Sequence, residues 1–140
     1  MRAFLDTSVL VAAFYADHEH HGPSLDLLVR HGRKGAGCGA YSLAEVYASL
    51  TSMPGKHRVS GDEALLYIGS IREFTTVVAL SAEESLRALQ EGARERAAGG
   101  ATYDLLLAHC ALKANAEHLY TWNVRHFQRF PSVADRVRTP

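Results

Sequence analysis

The sequence is short of cysteine, of long apolar runs and of net charge, and each shortage closes off a class of protein. Only Cys38 and Cys110 are present in 140 residues. Two cysteines are too few for a disulfide scaffold, and these two lack the paired spacing of a zinc finger. They read as small buried apolar residues of a reducing compartment, the cytoplasm. No apolar run reaches the ~18 residues needed to span a bilayer, so no membrane partner is expected. The stretch from Met1 to Ala13 is broken by Asp6 and has neither a basic n-region nor a small-residue cleavage site, so a secretory signal is not expected. Net charge is also missing: 15 Lys and Arg offset 15 Asp and Glu, which excludes a general basic coat for nucleic acid.

What remains is 47% hydrophobic, enough for one globular domain over residues 1–140 that buries roughly two-thirds of its unfolded surface. There is no linker, internal repeat or low-complexity tract. The charge that exists is uneven. From Thr121 onward, Arg125, Arg129, Arg136 and Arg138 face only Asp135. That end suits an anionic ligand and a solvated basic face equally well.

Residues 2–5 form a short apolar strand that stops at Asp6, and Val9 to Tyr15 read as a helix. Asp17 to Gly22 read as a polar loop. Its His18, Glu19, His20 and His21 lack the helical spacing of a transition-metal site, and solvation explains them. Pro23 fits the first turn of a second helix ending near Gly32. The Gly-rich RKGAGCGAY stretch is a poor strand by propensity, though a short buried strand can hide in it. Three segments then carry the Ser-x-x-Glu capping box: Ser42 with Glu45, Ser60 with Glu63 and Ser81 with Glu84. They predict helices over Ser42 to Ser52, Gly61 to Phe74 and Ala82 to Ala98. Thr75 to Leu80 is β-branched and reads as a strand. Gly99 and Gly100 stop the third helix, Thr102 is placed to cap a helix from Tyr103 to Asn115, and His118 to Trp122 read as a last buried strand. Tyr120, Trp122, Phe127 and Phe130 suit base stacking, but packing around this strand explains them better. Alternating strands and helices predict a three-layer α/β/α domain with a short parallel sheet flanked by helices. Ligands of such sheets sit at the carboxyl ends of the strands, which brings Asp6 and Asn123 near one another.

Three acids then have two readings each. Asp6 is a sound N-cap. Glu45 completes a capping box. Asp104 is an ordinary first-turn acid. Yet each also lies where the sheet gathers its carboxyl edges. Three carboxylates converging there repel one another unless a cation joins them, and a hard divalent ion that keeps several waters answers that need.

DTSVL at Asp6, SLAEVYASL around Glu45, TYDLLLAHCALKANAEHLYTWN around Asp104 and TWNVRHF around Asn123 resemble the four acidic motifs of the PIN-domain family. They come in the family's order, and the resemblance runs from Arg2 to Phe130. The TWNVRHF ending and the chain length are similar to the VapC-type toxins of toxin–antitoxin pairs. The resemblance implies a metal-dependent endoribonuclease using Mg2+ or Mn2+, with Asp6, Glu45 and Asp104 as metal ligands and catalytic acids. Thr121 matches the hydroxyl residue beside the site. Asn123 stands where many members carry a fourth Asp, which lowers the charge by one and puts a second metal in doubt. Arg125 and Arg129, with His126 between them, are candidates for RNA phosphates. The resemblance further implies an RNA substrate, a cognate antitoxin and a homodimer. Val46, Leu50, Leu65, Leu66 and Ile68 are the apolar residues available for a partner groove.

A non-catalytic RNA- or protein-binding module with a degenerate acidic site is the alternative, resting on Asn123. A phosphoacceptor or dehalogenase-type phosphatase would want a second Asp two residues after Asp6, where Ser8 stands.

Overall fold

The structure is a computed structural model describing all residues from Met1 to Pro140. Five parallel strands, β1 (Ala3–Leu5), β2 (Ala36–Gly39), β3 (Thr76–Val78), β4 (His118–Tyr120) and β5 (Val137–Arg138), lie in the order β3-β2-β1-β4-β5. The helices are α1 (Thr7–Phe14), α2 (His21–Arg30), the single turn α3 (Gly32–Gly35), α4 (Ala40–Ser52), α5 (Gly61–Phe74), α6 (Ala82–Arg94), α7 (Ala101–Lys113) and α8 (Val124–Gln128). This is the expected three-layer architecture. No helix is long and apolar enough to cross a membrane.

Side chains alternate across the sheet and build one core on each face. Ala3 and Leu5 of β1 point into a cluster with α1, α2, α4 and α5, through Val9, Leu10, Leu27, Val46, Leu50 and Ile71. Phe4, between them, points into the other, with Leu105, Leu107 and Cys110 of α7, Leu119, and Phe127 and Phe130 at the end of the chain. Both cysteines are buried and unpaired. Val46 and Leu50 are therefore core, not groove, whereas Leu65 and Leu66 are 57% and 77% exposed.

β2 is the strand that propensity hides. All four of its residues, AGCG, are buried, and the glycines are there because neighbours press on the backbone. A Cβ on Gly39 would stand 2.5 Å from Leu107 Cδ2, and one on Gly37 the same distance from Met1 Sδ. Close approach of Leu107 on α7 thus excludes a side chain at Gly39, while Met1 crowds Gly37.

The capping boxes at Ser60 and Ser81 form with both reciprocal hydrogen bonds. The one expected at Ser42 does not. The chain passes from β2 directly into helix at Ala40, with Gly39 as N-cap and no side-chain cap, so Ser42 is already inside the helix and fully buried. α6 ends at Arg94 rather than Ala98, because Arg96 and Gly99 take left-handed backbone, φ 56° and 58°. α7 begins at Ala101, so Thr102 is not its cap. β5, unexpected from sequence, adds two residues beside Leu119 and Tyr120.

Candidate active site

The chain enters the sheet at its centre. From β1 it moves to β2 on one side, and it later returns to β4 on the other. Connections therefore diverge at the carboxyl ends of β1 and β4, the place where such sheets leave a crevice. Asp6 follows β1 immediately, and Thr121, Trp122 and Asn123 follow β4. Asp6 N–H donates to the Tyr120 carbonyl at 2.9 Å, which extends the β1–β4 pairing and fixes the two segments side by side.

Asp6 is 4% exposed and is held as an N-cap by the Ser8 amide, 3.4 Å from Oδ2. Two hydroxyls also donate to Oδ2: Ser8 Oγ at 2.8 Å and Thr121 Oγ1 at 2.8 Å. Oδ1 receives no protein donor, yet it is not sealed among the buried unpaired atoms, so it remains open to a ligand. The hydroxyls work in both directions. Ser8 Oγ accepts the Trp122 N–H at 3.0 Å, and Thr121 Oγ1 accepts the Asn123 N–H at 2.9 Å. The buried carboxylate and the chain after β4 are thereby locked into one unit. The N-cap reading of Asp6 holds through Oδ2, and Oδ1 carries no hydrogen bond.

Glu45 leaves the capping role with Ser42. It lies in the second turn of α4, and its Oε1 accepts from Thr7 Oγ1 at 2.9 Å. Asp104, in the first turn of α7, has His126 Nδ1 at 3.3 Å from its Oδ2. Asn123 precedes α8 as N-cap without a side-chain cap bond. Asp6, Glu45, Asp104 and Asn123 line one open cavity of about 540 Å³, together with Thr7, Ser8 and Trp122. The loop expected to be merely solvated also walls it, through His18, Glu19 and His20.

Charge accumulates in this cavity. Burial lifts the Glu45 carboxyl above the usual range against the pull of the Thr7 hydroxyl, and the charges of Asp6 and Asp104 lift it further. Burial also raises Asp104, and Asp6 adds to the rise, while His126 and Arg129 oppose it. A cation would relieve this repulsion, and three carboxylates with an amide oxygen form a hard-donor set suited to Mg2+ or Mn2+. The side chains do not close into a cage of three or more ligands by themselves.

A second hollow of about 500 Å³ shares Asp104 and Asn123 with the first and is lined by Arg125, His126 and Arg129. The basic residues expected near the acids are thus beside them. Arg129 is partly tied down, with Nη2 donating to the carbonyls of Glu95 and Arg96 at 3.2 and 3.3 Å. Thr7 and Ser8 are cavity residues that sequence reasoning missed, and His126, expected with Arg125 and Arg129 toward phosphate, instead faces Asp104. The hydroxyl pair directly after Asp6 was the available signal.

Thr121→Val keeps the shape and removes the donor to a buried carboxylate. Thermal or urea unfolding is expected to show a loss of about 1–3 kcal/mol. A wild-type stability would mean that the Thr121 bond to Asp6 is dispensable.

The PIN domain family model matches residues 3–132. Ribonuclease VapC40 of Mycobacterium tuberculosis is 36% identical over 94% of both chains. Among solved structures, DNA-bound VapBC from Salmonella typhimurium superposes with a TM-score of 0.71 at 18% identity, covering 99% of this chain and 98% of that one. Mycobacterium tuberculosis VapC20, a Sarcin-Ricin loop cleaving toxin, gives 0.70 at 17% identity, covering 89% and 92%. VapBC2 from Rickettsia felis gives 0.69 at 20% identity, covering 99% and 98%. With a four-residue acidic and amide cavity at the switch point of a β3-β2-β1-β4-β5 sheet, the chain belongs to the PIN-domain family and is related to its VapC-type members.

Proposed function

We propose that this chain is the toxin of a toxin–antitoxin pair, a Mg2+- or Mn2+-dependent endoribonuclease whose metal ligands are Asp6, Glu45 and Asp104. The observation that carries this reading is the opening of those three carboxylates and Asn123 onto one cavity. When bound, a divalent ion supplies Lewis acidity toward a phosphoryl oxygen and acidifies water. The protein's own residues set the rest. Ser8 and Thr121 hold Asp6 in one orientation, and Thr7 does the same for Glu45. Arg125 and Arg129 flank Asp104 and offer charge to phosphates leading into the site. Asn123 presents an uncharged amide beside the acids, able to accept or donate toward water.

Purified chain is expected to cleave RNA in Mn2+ and to stop when EDTA is added. Cleavage that survives EDTA would overturn the reading. The alternative, a binding module with a decayed site, has only Asn123 in its favour, and the intact hydroxyl support around Asp6 and Glu45 speaks against it.

Asn123 gives a graded test. Asn123→Asp adds a fourth carboxylate and is expected to raise cleavage at limiting Mn2+, with little change at saturation. Asn123→Ala is expected to lose on the order of tenfold in rate at every Mn2+ concentration, the scale of a lost polar partner at a metal site. A metal series on one RNA reads both. Wild-type rates for Asn123→Ala throughout would place Asn123 outside the working site.

The partners follow from what is exposed. Several similar structures are VapBC complexes, which supports an antitoxin for this chain. Leu25 and Val29 on α2 and Leu65 and Leu66 on α5 are exposed on adjacent helices and supply an apolar face for it. Tyr41 and Tyr103 border an apolar hollow of about 460 Å³ beside Glu45, the surface best suited to a second copy of the chain. With no membrane-spanning helix and both cysteines free, the cytoplasm is the proposed location.

A further inference from the structure

Two features of the sequence remain without a role in the acidic chemistry: the His-rich loop between α1 and α2, and the single tryptophan. The structure joins them. The His20 imidazole lies flat on the Trp122 indole, with centroids 3.7 Å apart and planes 10° from parallel. Trp122 is fixed from the far side. Its Nε1–H donates at 2.9 Å to Ser24 Oγ, and Ser24 is fully buried. Its backbone N–H is held by Ser8, which also holds Asp6. The stacked pair is therefore anchored to the same hydroxyl as the central carboxylate, and both rings line the acidic cavity.

We propose that His20, seated on Trp122, is the shelf on which one unpaired nucleobase of the substrate stacks, next to the phosphate at the acids. This deepens the ribonuclease reading and rests on it. A flat imidazole is among the rings on which splayed RNA bases stack. A shelf whose orientation is fixed before binding loses little entropy when it is used. Its side chain is 36% exposed, so the imidazole is reachable from the cavity.

Phosphate contact is the competing use of a histidine, and the surroundings disfavour it. Glu19 Oε1 lies 3.3 Å from His20 Nε2, which puts an anion where a phosphate oxygen would have to approach. His18 takes up the His20 backbone N–H through its Nδ1 at 3.0 Å, so that donor is also engaged. Phosphates are better served on the other flank, by Arg125 and Arg129. The result is a division of the cavity rim, with phosphate contacts past Asp104 and base stacking past Trp122.

Trp122 is the only tryptophan in the chain, so selectively excited tryptophan emission reports on the shelf and on the acidic cavity that Trp122 lines. The test titrates a ten-nucleotide oligoadenylate into the protein with Ca2+ present, for wild type, His20→Ala and His20→Phe. An abasic oligomer of the same length is the control. Wild type should show a saturable change in emission. His20→Phe, which keeps a flat ring but no nitrogen, should bind within about twofold of wild type. His20→Ala should bind about tenfold more weakly, the scale of one lost base stack. The abasic oligomer should bind wild type no better than oligoadenylate binds His20→Ala.

No saturable change in wild type, or equal binding by His20→Ala, overturns the shelf. Binding by His20→Phe as weak as by His20→Ala would show that the nitrogen, not the face, is used, and also overturns it. Cleavage of RNA by the wild type in Mn2+ is scored separately. Its absence would sink the ribonuclease reading itself, whatever the fluorescence shows.

Discussion

Asp6→Asn and Asp104→Asn are each expected to lower Mn2+-dependent RNA cleavage by at least about a hundredfold, with the fold retained. Metal assistance contributes several kcal/mol to such a displacement, and each of these changes removes a charge from the set that would hold the ion. Asn is nearly the same size as Asp and keeps one carbonyl oxygen. At Asp6, that oxygen can still accept from Ser8 and Thr121. Asp104 has His126 as its one close partner, and that contact is partly exposed. The loss should therefore be chemical and not structural. Cleavage rates on one RNA, with circular dichroism of the same preparations, separate the two. Full activity in purified Asp6→Asn would remove this carboxylate from the reaction.

Glu45→Gln is expected to do two things that a purely structural glutamate would not. Its Mn2+ affinity should fall by tenfold or more. Changes one shell further out already cost about tenfold to a hundredfold, and a ligand should cost no less. At the same time the metal-free protein should become slightly more stable, because Gln can still accept from Thr7 while the crowded charge is gone. The pH dependence has a definite sign. The Glu45 carboxyl is raised in the folded protein, by burial and then by Asp6 and Asp104, so the fold binds its proton more tightly than the unfolded chain does. The Glu45 contribution to the stability of the metal-free wild type should therefore be lost as pH rises through the carboxylate range, against the opposite contribution of Asp17, Glu84 and Glu91, whose carboxyls are lowered. Melting curves from about pH 4 to 7 should show the gap between Glu45→Gln and wild type widening upward in pH. A gap that stays constant with pH would mean that the Glu45 charge is not crowded, and an unchanged Mn2+ isotherm would return Glu45 to a structural role.

That second outcome is where sequence and structure part most instructively. Ser42-x-x-Glu45 is indistinguishable in sequence from the boxes at Ser60 and Ser81, which form as expected. What differs is what precedes it. β2 runs straight into α4, so helical backbone begins two residues before Ser42 and the reciprocal pair has no N-terminus to cap. The crowding that keeps glycine in β2, from Leu107 at Gly39 and from Met1 at Gly37, also hides the strand from propensity. β5 was invisible for another reason: two residues, one of them Arg138, carry no periodic signal, and only pairing with β4 defines them. The β1–Asp6 and β4–Asn123 junctions were legible because an apolar run stopping at a polar residue survives any register. The four candidate site residues followed from those junctions and from the motif resemblance. Of the hydroxyls that orient them, Thr121 came with the resemblance, whereas Thr7 and Ser8 read in sequence as ordinary first-turn residues: Thr7 meets Ser42 and Glu45 only across 35 and 38 positions of chain, and Ser8 joins Asp6, two residues before it, to Thr121, 113 residues on.

In the proposed site Asp6, Glu45 and Asp104 together hold one divalent ion. Calorimetric titration with Mn2+ at neutral pH, in the absence of RNA, tests it most directly. A single saturable site is expected in the wild type, with more protons released on binding as the pH is lowered into the carboxylate range, because the Glu45 and Asp104 carboxyls are raised. That site should be lost or strongly weakened in each of Asp6→Asn, Glu45→Gln and Asp104→Asn. Wild-type isotherms in all three variants would contradict it.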